Sequence, residues 1–178
     1  IKCIFSYMDN IKLLTINDSN IGDCHTINEN NVPNVGTTTF KEFEILVQNS
    51  DFHRCVILDN KVLGFLICFK DSYKTKSFMY SIKHKNFNEF RNQLKNFMYV
   101  DRIAVDEKYR NNGIASTLYE ILIDYCLTTD IEYLTAEINL LPVKNEPSFM
   151  FHSKYQFKEI NTKKYSEDYE VSLQKRIL

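Results

Sequence analysis

The stretch that decides the fold is "FMYVDRIAVDEKYRNNGIASTLYEILIDYCL", residues 97–127. Its first nine residues, to Val105, are rich in aromatic and β-branched side chains and read as a strand. Asp101 and Arg102 interrupt the apolar run and, as strand neighbours, are expected on opposite faces. A polar loop, "DEKYRNN", leads to Gly113. From there Ile114, Leu118, Ile121, Leu122 and Tyr125 recur on one helical stripe. "TTD" closes that helix, and "IEYLTAEIN", residues 131–139, is a second β-rich run. Strand, helix and strand within about 40 residues make a βαβ unit, so the two strands are expected to be parallel neighbours.

Working outward, "IKLLTI" (11–16) reads as a first strand and "IGDCHTINENNVPNVG" (21–36) as a helix that ends before Pro33. "TTTFKEFEILVQNS" (37–50) predicts a second helix, with Phe40, Phe43, Leu46 and Val47 at helical spacing. "FHRCVILDNKVLGFLICFK" (52–70) is a hairpin around the short polar turn "DNK". Residues 71–96 are rich in Lys, Asn, Ser and Phe, and only "FNEFRNQL" within them suggests a short helix. Beyond the βαβ unit, "NEPSFMFHSKY" (145–155) predicts a short helix with a proline in its first turn. "FKEINTK" and "YEVSLQKRIL" close the chain as strands. With no internal repeat and no linker, one domain over 1–178 is expected.

Bulk properties bound the function. Of 178 residues, 44% are hydrophobic, enough for a substantial core. The net charge is −1, so no global field favours nucleic acid or an anionic membrane, and neither is expected as a partner. Local basic runs such as "KTK" (74–76) read as solvated faces. No apolar run approaches the ~18–20 residues of a bilayer span, and "IKCIFSYMDN" carries no recognisable signal peptide. The five cysteines, Cys3, Cys24, Cys55, Cys68 and Cys126, are odd in number and widely spaced. They predict free thiols in a reducing cytoplasm. Neither they nor His25, His53 and His84 show metal-ligand spacing, so no metal is expected.

The loop after Val105 has its own chemistry. The first amides of a helix lack intrahelical partners and carry the positive end of the macrodipole. Gly113 admits close approach to the backbone, Ala115 keeps it open, Ser116 adds a hydroxyl and Arg110 a cation. The set suits a phosphate or pyrophosphate. It is neither a Walker A loop nor a G-x-G-x-x-G. A plain turn glycine beside a surface arginine is the alternative.

The arrangement "IAV-DEKYRNNGIAS" resembles motif A of the GNAT superfamily of acyl-CoA-dependent N-acetyltransferases, with Arg110, Gly113 and Ala115 at the R/Q-x-x-G-x-G/A positions. Downstream, "NEPSFMFHSKYQF" (145–157) is similar to the family's Asn-x-x-Ser/Ala helix before an aromatic strand start. "NENNVP", "YVDRIAV", "EIN" and "SFMFH" together look like an uncharacterised bacterial subgroup. Two positions depart from the pattern: Gln156 stands where the family usually has glycine, and His152 where a tyrosine is frequent.

The resemblance implies an α/β fold whose mixed, mostly antiparallel sheet has one parallel pair splayed around acetyl-CoA. It implies that Ile103, Ala104 and Val105 pair with the pantetheine arm. The backbone of Arg110, Asn111, Asn112, Gly113, Ile114, Ala115 and Ser116 would hold the pyrophosphate. Asn139, Asn145 and Ser148 would border the cofactor, though Asn145 serves equally well as an N-cap. The acetyl group would pass directly to a primary amine of a small-molecule or peptide acceptor. His152 is the candidate proton donor to the departing thiolate, with Tyr155 as substitute; the alternative is a half-buried helix histidine bonded to a backbone carbonyl. Asp101, Glu137 and Glu29 are candidate bases. For Asp101 and Glu137 the alternative is an ion pair with Arg102 or a lysine, and for Glu29 a solvated helix position. A non-catalytic acyl-CoA-binding or sensing module is the rival function. A homodimer is compatible with the resemblance, but no residue pattern identifies an interface.

Overall fold

The computed structural model describes residues 11–178, so Cys3 and the reading of "IKCIFSYMDN" lie outside the described residues. Seven strands form one sheet in the order β1-β2-β3-β4-β5-β7-β6. They are β1 (Ile11–Leu14), β2 (Phe52–Leu58), β3 (Lys61–Lys70), β4 (Phe97–Val105), β5 (Tyr133–Leu141), β6 (Lys158–Ser166) and β7 (Tyr169–Ile177). The helices are α1 (Ile21–Glu29), α2 (Phe40–Asn49), α3 (Tyr73–Ser81), α4 (Lys85–Arg91), α5 (Ile114–Leu127) and α6 (Glu146–Lys154). The pair β4–β5 is parallel, as the βαβ reading requires, and its register covers Phe97–Tyr99 against Tyr133–Thr135. The pairs β1–β2, β2–β3, β5–β7 and β6–β7 are antiparallel.

The chain divides into two compact units. One runs to Cys68 and takes up Asp101–Tyr125; the other holds Phe69–Val100 and Cys126–Leu178.

In the first unit the β2–β3 hairpin turns on Asp59 and Asn60, both left-handed at φ 47° and 65°. That is the two-residue turn whose twist matches its strands, and Asp and Asn tolerate its φ. Lys61, expected in the turn, instead begins β3 opposite Leu58. The helix α2 starts from a reciprocal cap between Thr39 and Glu42, worth about 1 kcal/mol. It buries Phe43, Leu46 and Val47, while Phe40 stays 43% exposed with its ring 5.6 Å from that of His25. Along α5, Ile114, Leu118 and Leu122 are buried as the stripe predicts; Tyr125 is not, and leans on Phe52 with ring centroids 4.8 Å apart.

In the second unit, residues 71–96 form two short helices where the sequence suggested one. Aromatic contacts hold both: Phe78 of α3 stacks on Phe69 of β3 at 5.8 Å, and Phe87 and Phe90 of α4 pack against Phe97 and Tyr99 of β4, with centroids 5.5–6.2 Å apart. The described cysteines Cys24, Cys55, Cys68 and Cys126 are free and buried. No helix among the described residues is long and apolar enough to cross a membrane.

Candidate active site

In the first unit, β4 ends at Val105 and the chain turns at once. Asp106 donates its amide to the Leu63 carbonyl at 2.9 Å, and its carboxylate accepts from the Lys108 amide and lies 3.3 Å from Lys61 Nζ. These bonds fix where the loop leaves the sheet. Asn111 and Gly113 then adopt φ 63° and 80°, a conformation in which glycine carries no side-chain penalty. The helix α5 follows, with the Thr117 amide bonding back to the Gly113 carbonyl at 2.9 Å. The first amides of any helix carry the positive end of its macrodipole, and those of α5 open here. A loop residue in the left-handed region feeding a 14-residue helix is a setting fit for a pyrophosphate.

Gly64 of β3 lies against this junction. A Cβ there would come 2.9 Å from the Ala104 carbonyl oxygen, 3.0 Å from Ile114 Cγ2 and 3.2 Å from Val105 Cγ2. The end of β4 and the start of α5 are thus seated on a position only glycine can fill. An isolated glycine inside the strand pattern "VLGFL" is the sequence signal for such close approach.

Asp101 and Arg102 are not kept apart by strand alternation. Arg102 Nε donates to Asp101 Oδ2 at 2.7 Å, and the two side chains are only 8% and 1% exposed. The long arginine side chain reaches round the strand, and the ion-pair alternative holds for Asp101. From the same guanidinium, Nη1 reaches Asn28 Oδ1 at 3.1 Å and the Gly36 carbonyl at 3.4 Å. Asn28 Nδ2 donates to the Gly36 carbonyl and to Glu29 Oε1. Glu29 in turn accepts from Thr37 Oγ1 at 2.7 Å and from the Thr38 amide at 2.9 Å. Desolvation pushes the Glu29 carboxyl up, but these hydrogen bonds and nearby His25 outweigh it and hold the group at about 2. Glu29 is a loop fastener, where the sequence suggested a base or a solvated helix position. One polar network therefore ties the 28–38 segment to β4. Arg102, which the sequence suggests only as an ion-pair partner, is the centre of this network.

In the second unit, the Asn145 amide donates to the Asn139 carbonyl at 3.0 Å, closing the β5–α6 connection. Asn145 Oδ1 caps α6 by accepting from the Ser148 amide at 3.2 Å. His152 is 3% exposed. Its Nδ1–H donates to the Ser148 carbonyl at 2.8 Å, and its ring meets Phe157 edge-on at 4.9 Å. Desolvation drives its pKa down to about 4, against a smaller upward pull from the Ser148 carbonyl. The imidazole is neutral at pH 7, with its proton on Nδ1. Gln156 adopts φ 63°, the conformation for which glycine is usual. Its amide bonds the Ser153 carbonyl and the Phe157 amide bonds the His152 carbonyl, which together form a Schellman cap.

Glu137, on β5 opposite Leu173, lies near two stacked phenols. The rings of Tyr165 and Tyr169 are 5.2 Å apart, bridged by Asn86, which accepts from Tyr165 Oη at 2.8 Å and donates to Tyr169 Oη at 3.2 Å. Burial first, and then the charges of Glu89 and Glu137, push the Tyr165 phenol up. Among the described residues, no group of three or more His, Cys, Asp or Glu is placed to hold a metal ion.

A parallel β4–β5 pair joined through α5, within a sheet of this order, is the arrangement the GNAT resemblance implies. Residues 24–154 match the model of the acetyltransferase (GNAT) family, and the chain belongs to that family. A search of curated proteins returned no match. Solved structures share the fold at low identity. Ard1 from Thermoplasma volcanium is 16% identical over 95% of this chain and 98% of its own, with a TM-score of 0.74. An N-acetyltransferase from Staphylococcus aureus Mu50 is 20% identical over 95% and 99%, with a TM-score of 0.69. Arabidopsis thaliana Naa50, in complex with the bisubstrate analogue CoA-Ac-MVNAL, is 15% identical over 94% and 98%, with a TM-score of 0.68.

Proposed function

We propose that this chain moves the acetyl group of acetyl-CoA directly to a primary amine. The observation that carries the reading is the Val105–Ser116 connection, where a strand end, a left-handed Gly113 and the mouth of α5 follow one another. In this reading the backbone of Ile103, Ala104 and Val105 pairs with the pantetheine arm. The amides of residues 110–116 hold the pyrophosphate, and Arg110 offsets part of its charge. Asn139, Asn145 and Ser148 retain the cofactor-bordering role that the resemblance implies; for Asn145 and Ser148 this is additional to their helix-capping contact. The nitrogen lone pair attacks the thioester carbonyl, the C–S bond breaks, the amine loses a proton and the thiolate gains one. Holding both reactants together supplies much of the rate, and a strand amide near Val105 stabilises the oxyanion.

Proton handling is assigned by environment. Asp101 is committed to Arg102, and Glu29, at about 2, is too weak a base at neutral pH. Of the three candidate carboxylates, Glu137 is the base we favour, acting directly or through water. His152 holds its Nδ1 proton on the Ser148 carbonyl and takes up no second proton until about pH 4. The role of thiolate donor therefore passes to Tyr155, half-buried at the end of α6.

Calorimetric titration with acetyl-CoA, with ADP as control, tests the reading. Binding at about micromolar Kd, with ADP much weaker, supports it; absence of acetyl-CoA binding overturns it. Thiol release is then followed over a panel of small amines, amino acids and peptide N-termini. Peptides enter the panel because the Naa50 complex holds a peptide joined to CoA.

A further inference from the structure

The segment "NENN", residues 28–31, ends in an asparagine that the Arg102 network does not use. Asn31 makes three side-chain bonds of its own. Its Nδ2 donates to the Ile27 carbonyl at 2.8 Å and to the Val105 carbonyl at 3.3 Å, and its Oδ1 accepts from Arg110 Nη2 at 2.9 Å. A carboxamide is the group that offers two donors and an acceptor from one planar head, and here all are engaged. One bond closes the turn after α1, one holds the final carbonyl of β4, and one holds the guanidinium of the loop that follows.

We infer that Asn31 is a positioning residue for the acyl-donor site: it fixes Arg110, and with it the 110–116 loop, relative to the end of β4. The inference rests on the reading of 103–116 as the acetyl-CoA site and adds to it a residue 79 positions away from Arg110 in sequence. Arg110 is exposed and long, and its side chain carries substantial rotamer entropy. Docked on Asn31, it meets an anion already ordered. Without Asn31 that ordering falls to the binding step, and affinity drops. Because one of the bonds Asn31 makes is to Arg110 itself, the two residues are coupled, and their losses do not simply add.

The test is a double-mutant cycle in the full chain, read as acetyl-CoA affinity by calorimetry. Asn31→Ala is expected to weaken binding about five- to tenfold, the worth of one solvent-exposed hydrogen bond. Arg110→Ala is expected to weaken it at least as much, and Asn31→Ala with Arg110→Ala by clearly less than the product of the two single losses. Asn31→Ser is the second variant. Its hydroxyl can still bond the Ile27 carbonyl one turn back, so the turn is kept while the reach to Arg110 is lost, and it is expected to bind as Asn31→Ala does. A merely structural loss would lower the urea midpoint without this non-additivity. Wild-type affinity in both Asn31 variants, an Arg110→Ala protein that binds normally, or losses that simply add would overturn the inference while leaving the cofactor site standing. No binding by the wild-type protein would overturn the cofactor reading itself, which separates the two failures.

Discussion

Protonation of His152 is expected to unfold the protein from the inside. In the folded chain this imidazole resists protonation until about pH 4, because burial in the α6 Schellman turn denies its cation water. In the unfolded chain it titrates at its ordinary value of 6.5. At about 1.36 kcal/mol per pH unit, that separation amounts to roughly 3 kcal/mol of folding stability. The sign follows from proton binding. Between pH 6.5 and 4 the unfolded state holds a proton that the folded state refuses, so acidification favours unfolding. The contribution is complete above 6.5 and gone below the folded pKa. The assay is urea denaturation from pH 4 to 8 for wild type and His152→Phe, which keeps an aromatic ring against Phe157 and removes the titration. Subtracting the two curves removes the carboxylates and also His53, whose pKa is likewise depressed by burial. The difference should be flat above pH 7 and should shift by about 3 kcal/mol against the wild type by pH 4. A flat difference throughout, or a wild type that gains on His152→Phe with acid, would refute the reasoning and return His152 to contention as an accessible proton donor.

Three further outcomes follow from the same geometry. Gly64→Ala drives a Cβ to within 2.9 Å of the Ala104 carbonyl; about 1–3 kcal/mol of stability should be lost, with weaker acetyl-CoA binding by calorimetry as the end of β4 shifts. Arg102→Met takes the cation away from a buried carboxylate and should cost roughly 3–5 kcal/mol in urea denaturation, much of it recovered by adding Asp101→Asn. Gln156→Gly relieves a left-handed non-glycine residue and should raise stability by up to about 1 kcal/mol, seen as a higher melting temperature.

What the sequence revealed and what it hid divide along a physical line. The βαβ unit was legible because its signals are local and periodic: a nine-residue β run, a glycine, then a 3.6-residue stripe. Residues 71–96 were not, because α3 and α4 are short and lean on aromatic contacts with the sheet, Phe78 on Phe69 of β3 and Phe87 and Phe90 on β4, a tertiary term that no local pattern carries. The same division runs through the site. Gly113 and Arg110 announced themselves through spacing. Asn31, Arg102 and Gly64 did not, since each is defined by a partner far along the chain: Arg110, Asn28 and Ala104 respectively. His152 is the sharpest case. Its position suggested acid chemistry, but a side chain's acidity is a property of its solvent, and burial cannot be read from position. The cap that buries it also accounts for Gln156. A residue in the left-handed region is required there to close the Schellman turn, and its amide bond to Ser153 and the neighbouring Phe157–His152 bond form with glutamine as they would with glycine. The departure from the family pattern at 156 therefore changes the conformational cost of the turn while keeping its geometry, and it gives no ground for reading the chain as a non-catalytic module.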